Sequence, residues 1–452
     1  MKPTPVIAIF DVGKTNKKLF LFDENYKIVY EKTARFTEIK DEDGFPCENL
    51  ESLKLSVFDS LNEVFRLKEF DIKAINFSTY GASLVFVDED GNPLTPLYNY
   101  LKPYPEGLSH QLYHKYGGED QFASETASPV LGSLNSALVL YRLKKENPEI
   151  FSKVKYALHL PQYMSCLLSR KFCSDITSIG CHTAMWDFSK NDYHQWIKQE
   201  GLLPKLAPIV SSDTIVEAEF KGDQYKTGIG LHDSSAALIP YQVSFSEPFV
   251  LISTGTWCIS MNPFNNLPLT KEELKSDCLC YLEYHGKPVK SSRLFAGHDH
   301  EQGVKRIADY FNQDMIRFRT VAFEPELIKK LQKLIPQNIA FRERDMSLFE
   351  KETEAYHQLM LHIMHQQKKS TALVLKNTPV KRIFVDGGFS KNAVYMNLLA
   401  SAFPGVEVYA ASMAQATAIG AAMAIHQAWN SKPLPGDIIE LKYYSPDKSI
   451  SL

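Results

Sequence analysis

The chain has 452 residues, of which 44% are hydrophobic and 23% charged. That length suits two or three domains, and the composition excludes wholesale disorder or coiled coil. Lys and Arg number 50 against 53 Asp and Glu, a formal net charge of -3, so without a basic excess or basic run nucleic acid is not an expected partner. No apolar run approaches the ~18 residues of a membrane span. Seven scattered cysteines with no Cys-x-x-Cys pair point to free thiols in a reducing, cytoplasmic compartment rather than to a disulfide frame.

In chain order, residues 6–10 read as a buried strand, 11–16 as a turn and 19–22 as a second strand. A helix is predicted over 50–65, where Leu50, Leu53, Val57, Leu61, Val64 and Phe65 recur at helical spacing. Strands return at 72–77 and 84–87. The opening pattern then recurs: 249–253 read as a strand, 254–256 as a turn and 257–261 as a strand, with Gly255 standing where Gly13 stood. Helices are predicted over 301–311 and 352–375, a strand over 383–385, a Gly387-Gly388 turn, a helix over 392–402, a strand over 406–409 and a helix over 414–429. Two halves with the same opening predict two related α/β domains, 1–243 and 244–452, facing one cleft. The boundary is placed at the polar stretch bracketed by Pro240 and Pro248. Gly-turn hairpins are common, so the hairpins alone leave duplication open.

Four segments carry chemistry. In Asp11-Val12-Gly13-Lys14-Thr15-Asn16, Gly13 lets backbone N–H groups approach an anion. Thr15 with Lys14 or Lys18 can donate to phosphate oxygens, and Asp11 can hold Mg²⁺ through water. The Walker spacing is absent, and a plain hairpin with solvated lysines uses the same residues. Ser253-Thr254-Gly255-Thr256 has the same logic without the carboxylate, and its hydroxyls also suit an ordinary turn. Asp386-Gly387-Gly388-Phe389-Ser390-Lys391-Asn392, between a strand and a helix, suits a nucleotide's ribose or flat face, or merely a tight connection. Asp233, after Gly228-Ile229-Gly230-Leu231-His232 and before a small-residue helix, can act as a general base for a hydroxyl or cap that helix. His298-Asp299-His300-Glu301 lacks the spacing of a metal-binding helix and reads as a polar loop entering the next helix.

Taken together and in order, these segments resemble the FGGY family of carbohydrate kinases within the actin-like ATPase superfamily, most of all its rhamnulokinase branch and then its fuculokinases. The quoted residues are Asp11-x-Gly13-x-Thr15, Ser253-Thr254-Gly255-Thr256-Trp257, His232-Asp233-Ser234-x-Ala236-Ala237 and Asp386-Gly387-Gly388-x-Ser390-Lys391-Asn392. To these are added Ser78-Thr79-Tyr80-Gly81 and Leu294-Phe295-Ala296-Gly297 with Gln302. The resemblance implies two ribonuclease-H-like domains around a central cleft that binds ATP, Mg²⁺ and a small-molecule sugar, in a monomer or homodimer without nucleic-acid or membrane partners. It implies Asp233 as proton acceptor and Asp11 at the metal. Gly13, Lys14, Thr15, Asn16, Lys18, Gly255 and Thr256 fall to the phosphates, and Gln302, Gly387, Gly388 and Asn392 to adenosine. Thr79, Tyr80, Gly81, His232, Asp233 and Ser234 fall to the sugar. The implied reaction transfers the γ-phosphoryl group to the 1-hydroxyl of a 6-deoxyketose such as L-rhamnulose or L-fuculose, whose methyl group an aromatic cluster of Tyr80, Tyr98 and Tyr100 would face. The rivals are a kinase of xylulose or glycerol, and a non-catalytic sugar-binding regulator of the same fold. Lys14, Asn16, Phe389, Leu294 and the segment Tyr98-Asn99-Tyr100-Leu101-Lys102 depart from the family pattern.

Overall fold

The apolar opening of the chain forms β1 (Thr4–Val12), in which Val6, Ile7, Ala8 and Ile9 have no exposed surface. A strand covered on both faces must be apolar throughout, which is why this run lacks alternation. In the computed structural model, which describes residues 2–14, 16–334, 339–413, 415–450 and 452, β1 pairs antiparallel with β2 (Lys17–Asp23), and β2 with β3 (Ile28–Ala34). Helix α1 (Leu50–Val64) follows, started by Asn49, whose side chain accepts from the Ser52 N–H. On the other side of β1 runs β4 (Phe70–Thr79), parallel to it. The chain then leaves the sheet over residues 84–206 and returns through α2 (Leu160–Ser169) to the hairpin β5 (Ile215–Phe220) and β6 (Asp223–Gly228), with β6 parallel to β4. The two-residue β7 (Leu231–His232) also pairs with β4 and leads into α3 (Asp233–Ser244).

The second half repeats this connectivity. Strands β8 (Phe249–Thr254) and β9 (Cys258–Asn262) form an antiparallel hairpin, and β10 (Cys278–Leu282) and β11 (Pro288–Leu294) extend the sheet beyond β9. After α4 (Ala296–Phe311) and α5 (Glu352–Leu375), β12 (Arg382–Gly387) enters parallel to β8. Then follow α6 (Ala393–Ala402), β13 (Glu407–Ser412) parallel to β12, α7 (Ala416–Ala424) and the edge strand β14 (Glu440–Tyr444). The order β3-β2-β1-β4-β6 thus matches β11-β9-β8-β12-β13. The duplication that the two glycine hairpins left open is carried by this shared strand order.

Alternation along the strands assigns the layers. Val6, Ala8 and Phe10 face α1 and α2 in one outer core, and Val250, Ile252, Ile383 and Val385 face α4, α5 and α6 in the other. Between the sheets, Ile7, Ile9, Phe20 and Phe22 share a core with Leu251, Phe384 and the helices α3 and α7. Outside α2, much of residues 84–206 packs into a further core around Trp196, Phe122 and Tyr141. The predicted strand Leu84–Val87 lies there, paired with Tyr156–His159 and not with either main sheet. Boundaries differ from the sequence expectation around α3 and α7. Pro240 lies inside α3, so the helix runs on to Ser244. The helix expected over 414–429 ends at Ala424, with a short turn His426–Trp429 after it, and Ala414 lies outside the described residues.

Helices α3 and α7 cross in van der Waals contact of their backbones. A Cβ added at Gly420 would sit 1.8 Å from the carbonyl oxygen of Ala236, and backbone cannot step aside as a side chain can. Gly420→Ala is expected to destabilise the protein by about 1–3 kcal/mol. Gly405→Ala, with nothing within 4 Å of the added atom, leaves the midpoint of thermal unfolding in place. Equal midpoints for the two variants would mean that the helices have room to part.

Candidate active site

Three neighbouring strand ends assemble the centre of the cleft. On β1, Asp11 stands opposite Lys18 of β2 and Ser78 of β4, so all three side chains share one face. The Ser78 hydroxyl donates to Asp11 Oδ1 at 2.8 Å. Burial pushes the Asp11 carboxyl up to about 6, with Ser78 opposing the shift and the negative charge of Asp233 adding to it. Asp233 is therefore close enough for its charge to be felt at Asp11.

Asp233 is the first residue of α3, and the position before it belongs to His232. It does not cap the helix in the ordinary way: its Oδ1 accepts from the adjoining Ser234, from the N–H at 2.6 Å and the hydroxyl at 3.3 Å. With 34% of its side chain exposed, it opens to the cleft. Burial of its surroundings raises its pKa to about 6, against the lowering effect of the Ser234 bonds, while the helix N-terminus favours the anion. His232 stands behind it, Nε2 being 3.2 Å from Asp233 Oδ1 and 3.1 Å from Cys181 Sγ, and Nδ1 3.3 Å from the Ser235 hydroxyl. Burial depresses the imidazole pKa to about 3, so the ring is neutral. The His232 N–H donates to Thr177 Oγ1 at 3.0 Å, and Thr177 is bonded in turn to the buried Asp175. This chain fixes the backbone that presents Asp233.

The first turn is only partly as expected. The Gly13 N–H donates to the Asn16 carbonyl at 2.9 Å, closing the hairpin, and Asn16 Oδ1 accepts from Arg35. Lys14, expected at the phosphates, instead pairs with Glu38 at 2.9 Å and Glu48 at 3.3 Å. Lys18 pairs with Glu31 at 3.0 Å while sharing the face of Asp11. Thr15 lies outside the described residues.

Across the cleft the second turn exposes Gly255 and Thr256. A Cβ at Gly297 would lie 1.9 Å from the Gly255 carbonyl oxygen, and one at Gly387, whose φ is +88°, would lie 2.0 Å from that of Thr254. The glycines thus let β8, α4 and β12 meet without side chains between them. Space opens above Gly388 into a cavity of about 890 Å³ lined by Gly255, Gly297, His300, Glu301, Gly388 and Asn392. Asn392 also caps α6, accepting from the Tyr395 N–H, and donates to Tyr356. Phe389, where the family pattern has a smaller residue, stacks on Tyr395 with 4.5 Å between ring centres. Gln302, which the resemblance assigned to adenosine, lines with Asp299, Arg306 and His362 a cavity other than the one that Glu301 and Gly388 line. The segment 298–301 proves to be the first turns of α4 rather than a loop. Among the described residues, no group of three or more His, Cys, Asp and Glu side chains is placed to hold a metal.

On the acceptor side, Thr79 is fully buried with its hydroxyl on the Tyr80 carbonyl. A Cβ at Gly81 would meet Cys181 and His232 at 2.5–2.9 Å. Thr79 and His232 are thus buried, with Gly81 packed closely against His232 and Cys181. Tyr80 packs edge-on to Tyr100 at 6.0 Å. Tyr98 leaves the expected aromatic cluster, since its hydroxyl donates to Glu42 at 2.6 Å and its ring lies under Lys102.

This arrangement occurs in known proteins. Residues 6–237 match the N-terminal domain of the FGGY family of carbohydrate kinases, and residues 246–433 match a domain described as carbohydrate kinase FGGY, C-terminal. The chain belongs to the FGGY family. Among curated FGGY relatives it is 24% identical over 260 residues to the rhamnulokinase of Halalkalibacterium halodurans, covering 55% of this chain and 54% of that one. It is 25% identical over 281 residues to the L-fuculokinase of Escherichia coli, covering 57% and 56%. The chain thus spans about half the length of the curated relatives it matches. Among solved structures, a carbohydrate kinase from Novosphingobium aromaticivorans aligns with a TM-score of 0.79 at 24% identity, covering 98% of this chain and 95% of that one. A ligand-bound xylulose kinase from Lactobacillus acidophilus aligns at 0.81 with 17% identity, covering 98% and 94%. These likenesses establish the FGGY fold of two ribonuclease-H-like domains.

Proposed function

We propose that the protein is an ATP-dependent carbohydrate kinase that transfers the γ-phosphoryl group of ATP to a hydroxyl of a ketose, specifically the 1-hydroxyl of a 6-deoxyketose such as L-rhamnulose or L-fuculose. The observation that carries the reading is two carboxyl groups, Asp11 near the end of β1 and Asp233 at the start of α3, close enough for the charge of one to be felt at the other. Asp233 takes the proton of the acceptor hydroxyl as its oxygen bonds to the γ-phosphorus, the bond to the bridging oxygen breaks, and ADP leaves. Catalysis of this kind rests on positioning and charge stabilisation. Asp11 would hold Mg²⁺, which supplies charge neutralisation at the phosphates. A single carboxylate beside substrate phosphates fits that ion's preference, and a buried carboxylate repelled by Asp233 gains from a cation. Gly255 and Thr256 face the phosphates, and Gly388, Glu301 and Asn392 the nucleoside.

The halves divide near 243/244, a reading supported by the end of α3 at Ser244 and the start of β8 at Phe249. A cytoplasmic setting is supported by seven cysteines that are all buried and free. No described helix is long and apolar enough to cross a membrane. The test is a coupled ADP-release screen over L-rhamnulose, L-fuculose, D-xylulose and glycerol. The expected outcome is the highest kcat/KM with a deoxyketose. A higher value for xylulose or glycerol overturns the sugar and leaves the kinase, while ADP release indifferent to every acceptor overturns both.

A further inference from the structure

The alternation along β11 separates two kinds of residue. Leu294, at the position where the family resemblance directs attention, pairs with Cys258 and packs into the outer core. Arg293 and Val289 take the opposite face, alongside Ile259, Leu279 and Tyr281, which belong to the core shared between the sheets. Arg293 therefore points toward the N-terminal half. It is 7% exposed, its Nε and Nη2 donate to Asp277 Oδ1 at 3.2 and 2.7 Å, and its guanidinium lies 5.0 Å from the centre of the Trp257 ring. Nη1 has no hydrogen-bond partner among the described residues. The Arg293 charge is felt at Tyr100, Cys181 and Tyr281, and so is that of Asp233. Arg293 shares a sheet face with Tyr281, and the Tyr281 ring lies 5.2 Å from that of His232, the neighbour of Asp233.

His182 approaches Tyr281 from the N-terminal half. Its ring lies 6.1 Å from that of Tyr281. Nδ1 is 3.1 Å from the Leu134 carbonyl. A carbonyl only accepts, so Nδ1 carries the proton and Nε2 is left as an acceptor. The backbone here is left-handed at three non-glycine residues, with φ of 62° at Ala82, 35° at His182 and 61° at Ala184, a conformation retained only where surroundings impose it.

We propose that Arg293 Nη1 and His182 Nε2, from opposite halves of the chain, are the donor and acceptor that bind the acceptor's hydroxyls other than the one facing Asp233, and that they select a neutral polyhydroxylated molecule. The Asp277 carboxylate cancels the guanidinium charge, which suits a neutral polyol and leaves no free cation for a carboxylate. This rests on the kinase reading above and adds the means of acceptor choice.

The experiment is steady-state kinetics on the full chain with L-rhamnulose, L-fuculose, D-xylulose and glycerol as probes. Arg293→Met should raise KM for the preferred acceptor about 10–100-fold, as expected for losing a charged hydrogen bond, while KM for ATP moves less than twofold. His182→Gln should act in the same direction and carries the test if Arg293→Met does not fold. Arg293→Lys, which keeps the charge but loses the fork, should recover only part of the loss. Folded variants with a wild-type acceptor KM, or with KM for ATP raised equally, overturn this inference and leave the kinase reading intact. If no probe stimulates ADP release by the wild type, both fall together.

Discussion

Asp233→Asn lowers kcat by about 10²–10⁴-fold, the usual worth of general-base assistance, and leaves the fold and acceptor binding in place. The isosteric amide keeps the Ser234 N–H contact to Oδ1 but cannot take a proton. The pH profile supplies the second half of the test. Burial holds the Asp233 pKa near 6, so the ionised base is lost as pH falls through that value, and wild-type kcat/KM should decline on the acid side of pH 6. The residual rate of the variant should lose the Asp233 share of that limb and keep the share of Asp11, whose carboxyl is also raised to about 6. Neutral His232 cannot replace the base, because its pKa is near 3 and both its nitrogens are engaged. A variant with wild-type kcat would leave Asp233 as a helix-initiating residue and nothing more.

The sequence made the strand ends legible and left the side-chain directions obscure. β1, β8 and β12 each run into a glycine-bearing turn, and apolar runs closed by Asp or Gly announce themselves without any tertiary information. Asp233 was visible because Gly-x-Gly before it and small residues after it mark a helix start at a close crossing, the crossing that Gly420 makes with Ala236. What could not be read was the competition for charges. Lys14 sits in a turn that suits phosphate, but Glu38 and Glu48, far along the chain, take it. Gln302 was assigned from the family resemblance, and on α4, which begins at Ala296, five residues before the predicted start, it borders a different cavity from its neighbour Glu301. Arg293 was hidden for the complementary reason. One residue along a strand reverses the face, so attention to Leu294 looked into the outer core while its neighbour lies on the face of Ile259 and Tyr281.

Asp11→Asn separates function from stability in opposite directions. As the residue expected to hold the metal, Asp11 has a charge that matters more than its shape, so the amide should cut Mg²⁺-dependent turnover by at least about 100-fold, the loss of a charge–charge contact worth several kcal/mol. Weaker binding of ATP with Mg²⁺ should accompany it, with acceptor affinity little changed. Stability moves the other way. The Asp11 pKa rises from 3.8 to about 6 on folding, chiefly through burial, so the folded chain binds this proton more tightly than the unfolded chain does. Such a group opposes folding fully above pH 6, where it is ionised in both states, and not at all below about pH 4. Replacing it with a neutral amide, which can still accept the Ser78 hydroxyl, should therefore stabilise the free protein by about 1–3 kcal/mol at pH 8. That gain should shrink as pH falls through 6 and vanish near 4. Thermal unfolding of the two proteins at pH 8, 6 and 4, without nucleotide or metal, reads this directly. A lower midpoint for Asp11→Asn at pH 8 would make the carboxylate a structural partner of Ser78 and Lys18, whereas a higher midpoint with lost turnover is the signature of a charge kept in an unfavourable place for its chemistry.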